Sequence, residues 1–206
     1  AHFDYCLKDG RYILIGGDLF DAILLKDHKR AVNHLVTQPD NQLNVKLEET
    51  AHFLDPYKNQ ILFIGRGNHE ESVLKYNGLD LLQMLTTLLN AGNKHKVQYG
   101  NYANFIRLGW VTPSGKQVLK YDIFQHHGAG GSAPVTKGMI DFSRLAKGVN
   151  ADLIWIGHKH QAITDYSDPI MFVDGNGDVI LKNRQLIQTP SYQTGRTIDY
   201  NINHKI

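Results

Sequence analysis

Ile156-Gly157-His158-Lys159-His160 follows directly on the apolar run Ala151-Asp152-Leu153-Ile154-Trp155. The run reads as a buried strand, and two histidines stand where it ends. In extended backbone, side chains two apart point the same way. The glycine before them lets the chain turn without a β-carbon clash. Two imidazoles on one side of a strand end can converge on one point, as metal ligands must. A histidine pair that merely caps a strand is the competing expectation. The decision rests on whether other strand ends repeat the pattern.

Three do. Tyr12-Ile13-Leu14-Ile15 reads as a strand buried on both faces and runs into Gly16-Gly17-Asp18. Ile61-Leu62-Phe63-Ile64 repeats the pattern and ends in Gly65-Arg66-Gly67-Asn68-His69-Glu70. A third strand, 117–125, leads to His126-His127-Gly128. Between these stretches the periodicity is helical. Residues 4–10 read as the tail of a helix closed by Gly10, and 22–35, 43–54, 79–89 and 138–147 as helices. Thr37-Gln38-Pro39-Asp40-Asn41 breaks the second from the third, and Asn90-Ala91-Gly92 stops the fourth. A strand is expected over 97–109, with Pro113-Ser114-Gly115 as the turn into 117–125. Residues 128–134 read as a Gly/Ser/Ala loop, and the pattern after His160 as a hairpin turning at Asp174-Gly175-Asn176-Gly177-Asp178. The expectation is one α/β domain over 1–206. In sheets with helical crossovers, functional groups gather outside the carboxyl ends of the strands.

Composition narrows the chemistry. The chain has 206 residues, enough for one domain with a sizeable core. Its net charge of +2 gives no broad basic field of the kind that announces nucleic acid or a membrane surface. Eleven histidines stand against one cysteine, Cys6, which rules out an internal disulfide and a Cys-rich zinc module. No run approaches the roughly eighteen apolar residues of a membrane span, and no signal peptide is evident. A cytoplasmic protein with no membrane partner is expected; oligomeric state is not legible. Asp, Asn and His from separate strand ends form a mixed oxygen and nitrogen set. Such a set suits first-row divalent metals better than an all-oxygen calcium cage.

The order of these motifs resembles that of the calcineurin-like metallophosphoesterases, which carry D-x-H, G-D-x-x-D, G-N-H-[ED], a single H and G-H-x-H. The chain matches from Gly17-Asp18-Leu19-Phe20-Asp21 through Gly67-Asn68-His69-Glu70 and His126-His127 to Gly157-His158-Lys159-His160. The resemblance implies a two-sheet β-sandwich flanked by helices, a four-layer αββα fold. It implies a metal-dependent phosphoesterase using two divalent ions, manganese first, with iron, zinc, nickel or cobalt as alternatives. Asp18 would bridge the ions; Asn68, one of His126 and His127, and His158 would complete one, and His160 would serve the other. His69 would stand beside the scissile phosphate as general acid. Neighbours on extended chain face opposite ways, so one of the adjacent pair binds. Resemblance to family members with His directly before Gly favours His127, resemblance to those with a His-His-Pro run favours His126, and both remain candidates. Asp21 is expected to orient the turn or a histidine.

One motif is absent. No D-x-H precedes Tyr12; His2 and Asp4 stand in reversed order, with too little chain for a strand and crossover helix. The expectation is that about twenty or more residues belong upstream, since a crossover alone needs at least ten to twelve. Natural loss of the site served by His160 is the alternative.

The chemistry explains the residue types. Phosphate esters resist attack because the phosphoryl group is anionic. Two cations about 3.5–4 Å apart clamp the attacking and leaving oxygens and acidify a bridging water near neutral pH. Asn68 supplies a neutral oxygen, which limits negative charge facing an anionic substrate. Histidine as a residue type has an unperturbed pKa near working pH, which makes His69 the candidate to protonate the departing alkoxide. Arg66, Lys159 and Lys137 are candidates to hold the rest of the ester, with solvated surface charges as the competing expectation. A DNA nuclease of the same superfamily is the alternative in substrate, which would make nucleic acid the partner. A non-catalytic protein-binding member with an incomplete metal site is the alternative in class. His28, Lys29, Arg30 and His34 read as a solvated helical face, His52 and His95 as surface or helix-end residues, and Tyr192 and Arg196 as part of a turn. Trp110 and Trp155 read as core.

Overall fold

The computed structural model describes residues 2–20, 42–130 and 139–190. The protein is mixed α/β, with two sheets and flanking helices, and divides into two compact units, Ala1–Asn104 and Phe105–Ile206. Helix 22–35, the break at 37–41, Asp21, His28, Lys29, Arg30, His34, Lys137, Tyr192, Arg196 and most of the 128–134 loop lie outside the described residues.

In the first unit, α1 (His2–Lys8) is followed by left-handed Gly10, φ 64°. The short strand β1 (Ile13–Ile15) pairs in parallel with β2 (Ile61–Ile64), and β2 in parallel with β3 (Gln98–Tyr99). Parallel neighbours need crossovers, and these are helical. Helix α2 (Gln42–Leu54) runs into a 3-10 turn at Asp55–Tyr57, where Pro56 cannot continue an α-helix. It turns Leu43, Leu47, Ala51 and Leu54 to the core on one face. Helices α3 (Asn68–Asn77) and α4 (Leu81–Asn90) join β2 to β3. Asp80 caps α4 by accepting the Gln83 N–H at 3.1 Å, and Leu81, Leu82, Leu85 and Leu89 are buried. Burying each leucine is worth about 1.5–3 kcal/mol, so these two helices fix the sheet whose strand ends carry Asp18 and Asn68.

The second unit has sheet order β4-β5-β6-β8-β7, from β4 (Ala103–Val111), β5 (Gln117–His126), β6 (Leu153–Ile156), β7 (Ile163–Val173) and β8 (Val179–Gln188). β5, β6 and β8 run parallel; β7 returns antiparallel to β8 through the expected turn, where Asp174 accepts the Asn176 and Asp178 N–H groups at 2.8 and 2.9 Å. Helix α5 (Met139–Gly148) covers β6 through Phe142, which is fully buried among Phe124, Ile154, Ile156 and Leu186. Among the described residues no helix is long and apolar enough to cross a membrane.

Four expectations change. The strand expected over 97–109 is two, β3 and β4, in different sheets. The break is built by Asn104, whose side chain accepts the Asn101 N–H at 2.8 Å and donates to the Asn101 carbonyl at 2.7 Å. This Asn-backbone turn outcompetes the ladder. Gly100 is required there, since a β-carbon would lie 2.2 Å from Asn104 Oδ1. Second, β1 is half-buried, because it is the edge of its described sheet, while β2 between its neighbours is buried. Third, the 67–70 segment is the start of α3 rather than a free turn. Fourth, Trp155 is core but Trp110 is 48% exposed, on the sheet-edge strand β4. His52 and His95 are exposed, as expected.

Candidate functional site

In the first unit, parallel pairing of Ile15 with Ile64 brings both chains out at the same sheet end, and the Gly65 N–H donates to the Ile15 carbonyl at 2.7 Å. Two glycine-rich turns therefore leave side by side. Gly17 and Asp18 are both left-handed, φ 112° and 53°. Aspartate tolerates that region better than most residues, and a strained non-glycine held there points to function. Gly67 makes the opposing turn possible: a β-carbon on it would lie 2.1 Å from Asp18 Oδ1 and 2.2 Å from Asp18 N. Asp18 Oδ1 accepts the His69 N–H at 3.1 Å, an amide of the first turn of α3, where helical N–H groups have no partner within the helix. Asn68 and His69 are half-buried beside it. The expected ligands Asp18 and Asn68 and the expected acid His69 thus share one strand-end cluster.

Glu70 holds that cluster, and the sequence reading assigned it no role. Its carboxylate is 1% exposed and accepts three backbone N–H groups, from Gly67 at 2.8 Å, Phe20 at 2.9 Å and Asp18 at 3.1 Å. The bond to Gly67 is half of a capping box, so the spacing Gly67-x-x-Glu70 was the available signal. Burial pushes the Glu70 carboxyl up from its ordinary value, opposed by the N–H donors of Phe20 and Gly67. Half-buried Tyr102 is also near; burial raises its hydroxyl, with the Asp18 and Glu71 carboxylates adding to the effect. No sequence pattern marks Tyr102.

Arg66 is buried instead of solvated. Its guanidinium pairs with Asp80 at 2.5 Å and Glu71 at 3.5 Å and reaches Asn101 Oδ1 at 3.4 Å. It ties the start of α3 to the cap of α4 and to the β3–β4 break.

In the second unit, His126 pairs with Ile156 across parallel β5 and β6, and the Gly157 N–H donates to the His126 carbonyl at 3.3 Å. The turns after the two strands again leave together. His127 is 2% exposed, and its ring centroid lies 5.1 Å from that of half-buried His158; the His158 and exposed His160 centroids are 6.5 Å apart. His158 and His160 are both left-handed, φ 66° and 56°. Gly128 (φ 100°) packs so closely that a β-carbon would lie 2.7 Å from the Gly157 carbonyl. His126 faces elsewhere: its ring lies against Phe124 at 6.4 Å, and its Nδ1 accepts the Gly128 N–H at 2.9 Å. Burial lowers its pKa, His127 adds to this, and Asp141 opposes it. Lys159 is buried too, with its amine on the Ala129 and Gly130 carbonyls and on Asp141.

No family model, curated protein or solved structure matches the chain. Each unit by itself offers donors of kinds that bind divalent ions. The first has a carboxylate and a neutral amide oxygen, and the second has two close imidazoles with a third on the same turn. Oxygen and nitrogen donors of these kinds suit first-row metals.

Proposed function

We propose that the chain is a metal-dependent phosphoesterase that hydrolyses a phosphate ester in the cytoplasm, on a four-layer αββα sandwich. In this reading, carried by the motif resemblance, Asp18 would be shared by two divalent ions, with manganese the first candidate. Asn68, His127 and His158 would help hold one and His160 the other. The observation that carries the proposal is the repeated device. In each unit two neighbouring parallel strands end in glycine-bearing turns, and the candidate ligands sit on those turns with left-handed backbone at Asp18, His158 and His160. Strain of this kind, about 1–3 kcal/mol at each residue, persists where function requires the geometry. The seating of His127 toward His158, with His126 engaged by the Gly128 amide, favours His127 as the ligand.

Bound ions would neutralise the phosphoryl group and acidify the attacking water. The chain's own residues supply the rest. Asn68 adds no charge against the anionic ester. His69, on the first turn of α3, would protonate the leaving alkoxide, which is worth about 10²–10⁴-fold in rate. The half-buried setting of Asn68 and His69 leaves a face open to substrate.

The test is hydrolysis of a chromogenic phosphodiester with added manganese. Turnover that falls at least a hundredfold in His69→Ala and is abolished in Asn68→Ala supports the reading. Cleavage of DNA without cleavage of small esters would assign a nucleic-acid substrate to the same chemistry. Absence of metal-dependent turnover on both would favour a protein-binding role.

A further inference from the structure

We infer that Lys159 is a positioning residue that locks the His127 turn to the His158–His160 turn; its bearing on metal affinity rests on the proposed function. Lys159 lies between two left-handed histidines, so the backbone at 158–160 reverses sharply, with the Lys159 N–H donating to the Gly157 carbonyl at 2.8 Å. The reversal sends the lysine inward. Its side chain is only 4% exposed, although lysine is among the residues least often fully buried.

An ammonium carries three donors and tolerates burial only when they are engaged. Here three acceptors are in reach: the Ala129 carbonyl at 2.5 Å, the Gly130 carbonyl at 3.3 Å and Asp141 Oδ2 at 2.9 Å. Ala129 and Gly130 follow His127 and Gly128 on the β5 turn. Asp141 stands on α5, next to fully buried Phe142. One amine therefore joins the β6 turn, the β5 turn and the covering helix. The 5.1 Å spacing of the His127 and His158 rings lies between the joined segments. This placement replaces the substrate contact expected for Lys159 with a role behind the ligands. Lys159 also helps hold two histidines in a conformation that extended backbone would otherwise relieve.

The test compares full-length wild type with Lys159→Met, which keeps the stem and removes the donors, and with Asp141→Asn. Amide hydrogen exchange is read on metal-free protein, and manganese affinity by calorimetric titration. Expected in Lys159→Met is faster exchange at both 127–130 and 157–160, by about tenfold, since the two turns lose one shared tie. Manganese binding weakens by about 10–100-fold, the usual cost of losing a group that orients metal ligands. Asp141→Asn moves both readouts the same way by less, and the double variant adds little to Lys159→Met, because the two share one interaction. If Lys159→Met does not fold, Asp141→Asn, altered at a partly exposed carboxylate, is judged by the same two readouts. Exchange that changes at 157–160 alone overturns the inference. Unchanged manganese affinity in a variant with loosened turns overturns its functional half and leaves the phosphoesterase reading standing. Wild type that binds no manganese overturns that reading, while the exchange result still decides the lock.

Discussion

The two units solve the same problem with charges of opposite sign. Each must hold a pair of glycine-rich turns together at the end of neighbouring parallel strands. In the first unit the turns present N–H groups, from Asp18, Phe20 and Gly67, and a buried carboxylate, Glu70, gathers them. In the second the turn after β5 presents carbonyls, at Ala129 and Gly130, and a buried ammonium, Lys159, gathers those. The difference follows from what comes next in the chain. The first cluster leads into α3, whose opening turn exposes amides and favours negative charge. The second follows two strands and takes its countercharge from Asp141 on α5. A buried charge here is set by the backbone it must satisfy, and its sign need not match that of any substrate.

The largest effect is expected at Glu70. Glu70→Ala strips the acceptor from two buried N–H groups, those of Gly67 and Phe20, and from the part-buried one of Asp18. An orphaned buried donor costs about 1–3 kcal/mol and neighbours are not additive, so a loss of about 3 kcal/mol is expected, read as a shift in the denaturant midpoint. Hydrogen exchange should quicken at 18–20 and 67–69 together. A loss below about 1 kcal/mol, within the range of an ordinary surface substitution, would break the parallel with Lys159.

This asymmetry also shows what the sequence could tell. Strand ends were legible at Ile15, Ile64, His126 and Ile156, because apolar runs stopping at glycine have one reading on a sheet with helical crossovers. Helices α2, α4 and α5 were legible from their periodicity. Side-chain direction was not. Arg66 and Lys159 read as candidates to hold the ester or as solvated charges, and neither reading foresaw their burial, since only the fold brings Asp80, Glu71, Asn101 and Asp141 within reach of them. The split of 97–109 depended on the Asn104 side chain bonding the Asn101 backbone, a local choice that β-propensity does not register. Trp110 was read as core from residue type, and a sheet-edge strand left it exposed.

The glycines give the next largest effects and separate two causes. Gly67 has an ordinary extended φ of −99°, so Gly67→Ala is penalised only by overlap with Asp18. Gly78, the left-handed cap of α3, has nothing within 4 Å of an added β-carbon, so Gly78→Ala is penalised only by its φ of 70°. Gly128 carries both burdens. Expected losses are about 2–3 kcal/mol for Gly67→Ala by overpacking and about 1 kcal/mol for Gly78→Ala by left-handed strain. Gly128→Ala should exceed Gly78→Ala in thermal unfolding. Equality of those two would mean that the Gly157 contact gives way freely and that the second pair of turns is looser than the first.

The smallest effect tests whether burial, more than charge itself, gives Glu70 and Lys159 their hold. Arg107 and Asp122 form a two-pronged pair on β4 and β5, at 2.6 and 2.9 Å, with the arginine largely exposed. The Arg107 guanidinium holds the Asp122 carboxyl below its ordinary value of 3.8. A lowered carboxyl stabilises the fold above the unfolded-state value, and that contribution is lost as pH falls through the folded one. Arg107→Met should therefore raise the Asp122 titration, followed by carboxyl NMR, toward the ordinary value. Its thermal stability should stay close to wild type at neutral pH, and the small difference should vanish in acid. Water screens such a pair and satisfies either partner left behind, whereas the buried Gly67 and Phe20 N–H groups around Glu70 and the buried Lys159 ammonium have no such recourse. A large neutral-pH loss in Arg107→Met would show that exposed pairs on this sheet bear as much as buried ones, and the distinction between the turns and the strands would fall.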